Sequence, residues 1–118
     1  MGQDWQIEYY TNPQGDKPVE EFINKQDEAI QVKIVRLLEH LEEFGVQVGP
    51  PHVKRLTGTK LWELRILGAN NIRIFYIAEK GQIFLLLHAF KKKKQKTDKR
   101  ELKTAEERLV QYRLVKGD

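Results

Sequence analysis

The chain has 118 residues, 40% hydrophobic and 32% charged, a size and balance that fit a single domain over residues 1–118 beneath a heavily charged exterior. It contains no cysteine, which excludes a disulfide framework, a thiolate metal site and a cysteine nucleophile. The formal net charge of +4 is unevenly spread, because residues 91–100 (KKKKQKTDKR) carry +6 and the other residues therefore sum to −2. A concentrated basic segment suits a polyanion, since each phosphate contact releases counterions.

In chain order, Gln6 to Tyr10 reads as a strand that ends at the turn signal Asn12-Pro13-Gln14-Gly15. Pro18 opens a first helix, with Val19, Phe22 and Ile23 at helical spacing. A longer helix follows, in which Ile30, Ile34, Leu37, Leu38, Leu41 and Phe44 form one stripe and Gly45 supplies a left-handed stop. Glu39, Glu42 and Glu43 on its outer face argue for a core-facing helix rather than a membrane-surface one. Val46 to Thr59 is expected to be loop. Lys60 to Leu67, Ile72 to Ala78 and Gln82 to Phe90 read as three strands of an antiparallel meander, the last apolar on both faces as a central strand should be. Asp98 to Arg113 forms a final helix, with Asp98 and Glu101 in capping-box spacing. The expected fold is α+β, in the order β-α-α-β-β-β-α.

Three features bear on location and ligands. The start, MGQDWQIEYY, lacks a basic region followed by an apolar run, and the longest apolar stretch, Ile83 to Leu87, is too short to cross a membrane. A cytoplasmic location is therefore the expectation. His40, His52 and His88 have no ligand-like spacing, so no metal site is expected.

The order of elements, together with Leu61-Trp62-Glu63-Leu64-Arg65, Ile72-Arg73-Ile74-Phe75-Tyr76, Leu87-His88-Ala89-Phe90-Lys91-Lys92 and Gln95-Lys96-Thr97, resembles the phage-derived HigB-like toxins of the RelE/ParE superfamily. The likeness spans nearly the whole chain. It implies a RelE-like antiparallel sheet packed against two N-terminal helices, with a C-terminal helix. It also implies the toxin of a type II toxin–antitoxin pair, an endoribonuclease that cuts messenger RNA on the ribosome without metal or cofactor. The implied partners are a helix-turn-helix antitoxin, messenger RNA and the ribosome, with no membrane and no small-molecule ligand. Toxins of the RelE kind place lysines at the positions of Leu61 and Glu63, one of them serving as general base. This chain has none there, so its acid and base sit elsewhere or Glu63 takes a part.

Metal-free RNA cleavage uses the 2′-hydroxyl as nucleophile and asks the protein for a base, an acid and positive charge at the phosphorane. Arginine suits the last task, because its planar fork holds two phosphate oxygens. If Trp62, Leu64 and Ile66 face the core with Ile72, Ile74 and Tyr76, a hairpin centred on Ala69 sets Arg65 opposite Arg73 on the outer face. A two-residue turn at Lys80-Gly81 would then set Arg73 opposite His88, giving a row of Arg65, Arg73 and His88. Like charges directly opposed cost about 0.2–1 kcal/mol, which a phosphate or Glu63 could offset. Arg65 can equally be an exposed ion pair with Glu63, and His88 a satisfied core histidine. His52, behind two prolines, reads as a loop residue.

Crowded charge in the lysine run favours deprotonating one member, with Lys92 the candidate base. Lys91, Lys93, Lys94 and Lys96 are candidate RNA contacts, and Lys54, Arg55 and Lys60 extend the patch. Two other classes of function remain open: a non-enzymatic ParE-like inhibitor of DNA gyrase, and a decayed toxin that binds nucleic acid without cutting it.

Overall fold

The computed structural model describes residues 4–68, 71–93 and 99–117. Its elements are β1 (Gln6–Tyr9), α1 (Pro18–Asn24), α2 (Glu28–Phe44), β2 (Val53–Arg55), β3 (Trp62–Ile66), β4 (Ile72–Glu79), β5 (Ile83–Lys91) and α3 (Lys99–Lys116), with a 3-10 turn at Gly45–Gln47. One five-stranded sheet runs in the order β1-β5-β4-β3-β2. The class is α+β, as expected.

Local chemistry explains the helices. Pro18 occupies the first turn of α1, where its missing N–H costs nothing. The Asp27 side chain caps α2 by accepting the Ile30 N–H at 3.0 Å. Ile30, Ile34, Leu38 and Leu41 are buried along one side of α2, whereas Phe44, expected in the same stripe, is half-exposed and lies against the His40 ring. Gly45 ends α2 with φ +59°, the positive sign foreseen, but its ψ of −134° lies outside the left-handed helical region. A Cβ there would come within 2.4 Å of the Trp5 indole, which stacks on Phe84, so only glycine lets the helix end pass the ring.

The sheet separates two apolar layers. On one side, Val53, Leu64, Ile66, Ile72, Ile74, Tyr76, Phe84, Leu86 and Ala89 pack against α1 and α2. On the other, Leu61, Phe75, Ile77, Leu85, Leu87 and Phe90 pack with Tyr10 and with Ala105 of α3. This two-sided burial makes β5 apolar on both faces, as its sequence predicted.

Three expectations need correction. Val46 to Thr59 is not all loop, because Val53 is buried in the α1/α2 layer and its segment pairs with β3 as the edge strand β2. The sheet is mixed rather than antiparallel, since β1 pairs parallel with β5, Gln6 opposite Ile83 and Tyr9 opposite Leu86. The β4–β5 connection is a three-residue loop, not a two-residue turn. Glu79 pairs with Ile83, and both Gly81 and Gln82 have positive φ (83° and 59°). Ala69, the expected centre of the β3–β4 hairpin, and Asp98 of the expected capping box lie outside the described residues. The pairing of Ile66 with Ile72 is nevertheless the register that a hairpin centred on residue 69 requires.

Candidate active site

Strand alternation sends Glu63 and Arg65 of β3 and Arg73 and Phe75 of β4 to the α3 side of the sheet. Arg65 lies directly opposite Arg73, as expected. Between them sits Glu63, only 1% exposed and thus a carboxylate fully withdrawn from water. Its Oε1 accepts a hydrogen bond from Arg65 Nε at 3.1 Å and lies 3.8 Å from Arg73 Nε. Arg73 Nη1 donates to the Ile72 carbonyl at 3.1 Å. One carboxylate therefore serves two guanidinium groups.

That cluster is incompletely satisfied. Among the described residues, the buried side-chain atoms without a hydrogen-bond partner are Glu63 Oε2, Arg73 Nε and His52 Nδ1. Buried polar atoms left unpaired cost about 1–3 kcal/mol each, and two of the three, on Glu63 and Arg73, belong to one ion-pair cluster, which marks a site kept for something other than stability.

His88 is not opposite Arg73. Two insertions in β5 displace it: the extra loop residue, and a bulge that sets Tyr76 opposite Leu86 but Phe75 opposite His88. Phe90 faces Arg73 instead, and the His88 ring stacks on Phe90 with centroids 5.4 Å apart. The imidazole is also engaged at both nitrogens. Nε2 lies 2.8 Å from Glu101 Oε1, and Nδ1 lies 3.3 Å from Arg108 Nη1. Both bonds form at once only if the ring is neutral with its proton on Nε2, donating to Glu101 and accepting from Arg108. His88 thus fastens β5 to α3.

The same arrangement sets a pH response. Burial, above all, pushes the His88 pKa below its ordinary 6.5. The Arg108 charge adds to this, while the hydrogen bond and charge of Glu101 oppose it. A histidine lowered in the folded state contributes stability that is fully present above pH 6.5 and is lost as pH falls through the folded value. Thermal unfolding measured from pH 8 down to pH 5 is expected to show stability falling below about pH 6.5, with His88→Gln flattening that slope. An unchanged slope in the variant would remove His88 from the account.

The other predicted site residues divide by face. Lys54 is exposed opposite Glu63 and so shares its face. Lys92, half-buried, lies one residue past β5, and its N–H bonds the Asn71 carbonyl at 2.9 Å. Lys91 pairs with Ile72 and belongs to the opposite face. Arg55 also lies on that opposite face, its guanidinium 5.2 Å from the Trp62 ring centroid and bonded to the Thr59 carbonyl at 3.0 Å. Lys60 and Lys93 are exposed, and Lys94 and Lys96 lie outside the described residues. Sequence reasoning gave Glu101 only a capping role and missed Arg108. The signal for their contact with β5 was their place four residues before and three after Ala105 on α3.

Among the described residues no group of three or more His, Asp or Glu side chains could hold a metal ion. No helix among them is long and apolar enough to cross a membrane.

A mixed five-stranded sheet with helices on both faces, bearing paired arginines and a buried glutamate on one of them, belongs to a compact class of α+β proteins. The family profile described as Phage derived protein Gp49-like (DUF891) matches residues 21–110. The chain belongs to this family, a RelE-like toxin family of toxin–antitoxin systems. A search of curated protein sequences found no match.

Proposed function

We propose that this chain is the toxin of a type II toxin–antitoxin pair, of the HigB kind, a single cytoplasmic domain that cleaves messenger RNA on the ribosome without metal or cofactor. The observation that carries the reading is the Arg65–Arg73 pair, set side by side across β3 and β4 with a single buried carboxylate between them. Two guanidinium forks with one shared counter-charge keep a surplus of positive charge and of N–H donors. A scissile phosphate gains both as its charge grows toward the phosphorane. Glu63 orients the forks. Lys54 and Lys92 extend the positive face, and Lys60, Lys91 and Lys93 with Lys94 and Lys96 grip RNA at phosphates farther along the strand. A helix-turn-helix antitoxin encoded in the adjacent reading frame is the partner this reading requires.

The test is induction of Arg73→Ala in cells. Loss of growth arrest is expected, with the purified variant unfolding cooperatively as the unmutated chain does. A fully toxic Arg73→Ala would refute the site. Messenger RNA should be depleted on induction of the unmutated chain; a DNA-damage response in its place would favour gyrase inhibition. Steep salt-dependent RNA binding with no arrest would favour a decayed toxin.

A further inference from the structure

The sheet edge farther from the arginines, β1, is open along most of its length. The N–H groups of Gln6 and Tyr10 donate toward β5, to the Gln82 and Leu86 carbonyls, both at 2.9 Å. Strand alternation therefore turns the N–H and C=O of Ile7 and the N–H of Tyr9 away from β5, onto the outer edge. No backbone group of the described residues meets them there. Only the start of the edge is closed, because the Trp5 N–H donates to the Glu42 carbonyl near the end of α2. An unpaired strand edge is a ready template for another strand.

A groove of about 420 Å³ lies beside that edge, with Ile7, Glu8, Lys17, Val115 and Lys116 among its walls. On its α3 side Val115 is 78% exposed, and the neighbouring Leu114 76%. The charged groups of the groove have both signs, Glu8 on one hand and Lys17 and Lys116 on the other. A twofold axis can set such a patch against its own image with opposite charges in reach, which a patch of one sign forbids.

We infer that two copies of this chain join through β1, edge to edge and antiparallel, into one continuous sheet. Cross-strand chemistry selects the register. Setting Glu8 opposite its counterpart in the second copy would oppose two carboxylates, which destabilises a pair. Setting Ile7 opposite its counterpart uses the outward N–H and C=O of both strands in one reciprocal pair. Glu8 then stands opposite Gln6 of the other copy, whose side-chain amide donates to the carboxylate. Gln6 and Glu8 share the α3 side of the sheet with Tyr10, while Ile7 and Tyr9 belong to the α1/α2 side. The second copy thus enters the groove walled by Val115. The arginines on β3 and β4 lie away from the seam and stay uncovered, so the inference is independent of the proposed cleavage.

Sedimentation equilibrium of the full chain, from about 1 μM to about 200 μM, brackets the affinities of small interfaces. A reversible rise from the 13.9 kDa of one chain to twice that mass is expected. Ile7→Pro removes an N–H that the single chain does not use, and an edge strand tolerates proline. The fold should survive while the dimer weakens at least about tenfold. Val115→Asp, at an exposed position, is expected to cause a similar loss and serves alone should Ile7→Pro fail to fold. Single cysteines read the register, since the chain has none of its own. Ile7→Cys should form an intermolecular disulfide on mild oxidation, because directly opposed residues hold their Cα atoms about 5.5 Å apart. Glu8→Cys should not, since its counterpart stands beyond the reach of about 7 Å. A chain that stays monomeric throughout overturns the inference and leaves the edge to a strand of a different protein. So does a dimer that a folded Ile7→Pro or Val115→Asp leaves intact, or faster cross-linking by Glu8→Cys than by Ile7→Cys. Arg73→Ala should dimerise as the unmutated chain does, which keeps failure of this inference distinct from failure of the proposed function.

Discussion

Glu63→Ala is expected to lower the unfolding free energy by about 3 kcal/mol, the low end of what removing one partner of a buried ion pair costs. The low end applies because the arginine side chains keep some water, Arg65 at 30% exposure and Arg73 at 15%. Three contributions add up. The hydrogen bond from Arg65 Nε is lost, Arg73 loses its nearest counter-charge, and the two guanidinium groups are left opposed across adjacent strands with nothing between them. Arg73→Ala should cost only about 1 kcal/mol, because Glu63 keeps its bond to Arg65. Urea unfolding with an unchanged m-value reads both numbers. A Glu63→Ala loss below that of Arg73→Ala would mean that the arginines do not depend on the carboxylate, and the account of the site as a shared-charge cluster would fail.

The comparison has a functional side. A cluster selected for stability alone would not bury Glu63 with one oxygen lacking a hydrogen bond, and Arg73 Nε held only by a long ion pair at 3.8 Å. Spare donors and a strained balance of charge are what a site needs if it is to be completed by an incoming anion.

The parts of this arrangement that were legible in the sequence are those fixed by local pattern. The α2 stripe, the alternation along β3 and β4 and the short hairpin between them were enough to place Arg65 opposite Arg73. Errors entered where a single residue changes a register. The position of His88 depends on whether the β4–β5 loop has two or three residues and on the bulge between Phe75 and Tyr76, and neither leaves a mark in an apolar run such as Ile83 to Leu87. β2 was missed because three residues carry no readable alternation, and with it went the pairing that sets Lys54 opposite Glu63. The parallel partnership of β1 with β5 joins segments more than seventy residues apart and follows from no local signal. Arg55 looked like another phosphate contact in a basic stretch, yet the Trp62 ring opposite it gives the guanidinium a partner on the other face.

Arg108→Ala should bring the second large loss, about 2–3 kcal/mol. Its Nη1 donates to the Leu87 carbonyl at 2.8 Å, at the bulge of β5, and lies 3.3 Å from His88 Nδ1, while its guanidinium sits 5.5 Å from the Tyr10 ring centroid. Truncation leaves a carbonyl and a ring nitrogen without a donor inside a half-buried seam. The seam matters because α3 has little apolar anchorage: Ala105 is its one fully buried residue among those described, with Leu102, Leu109 and Tyr112 only partly covered and Val110, Leu114 and Val115 exposed. Polar fastenings hold the rest. His88 meets Glu101, Arg113 Nη1 meets Glu79 at 2.7 Å, and the Tyr10 hydroxyl donates to Gln111. Arg108 is the fastening nearest the middle of the helix. Its loss should therefore speed amide exchange along α3 as well as lowering global stability. Arg108→Lys should recover less than half of the loss, since an ammonium on a thinner stem does not reproduce the planar fork that reaches carbonyl and imidazole together. If the α3 amides of Arg108→Ala exchange as slowly as before, the helix is held by its apolar side and not by this clasp.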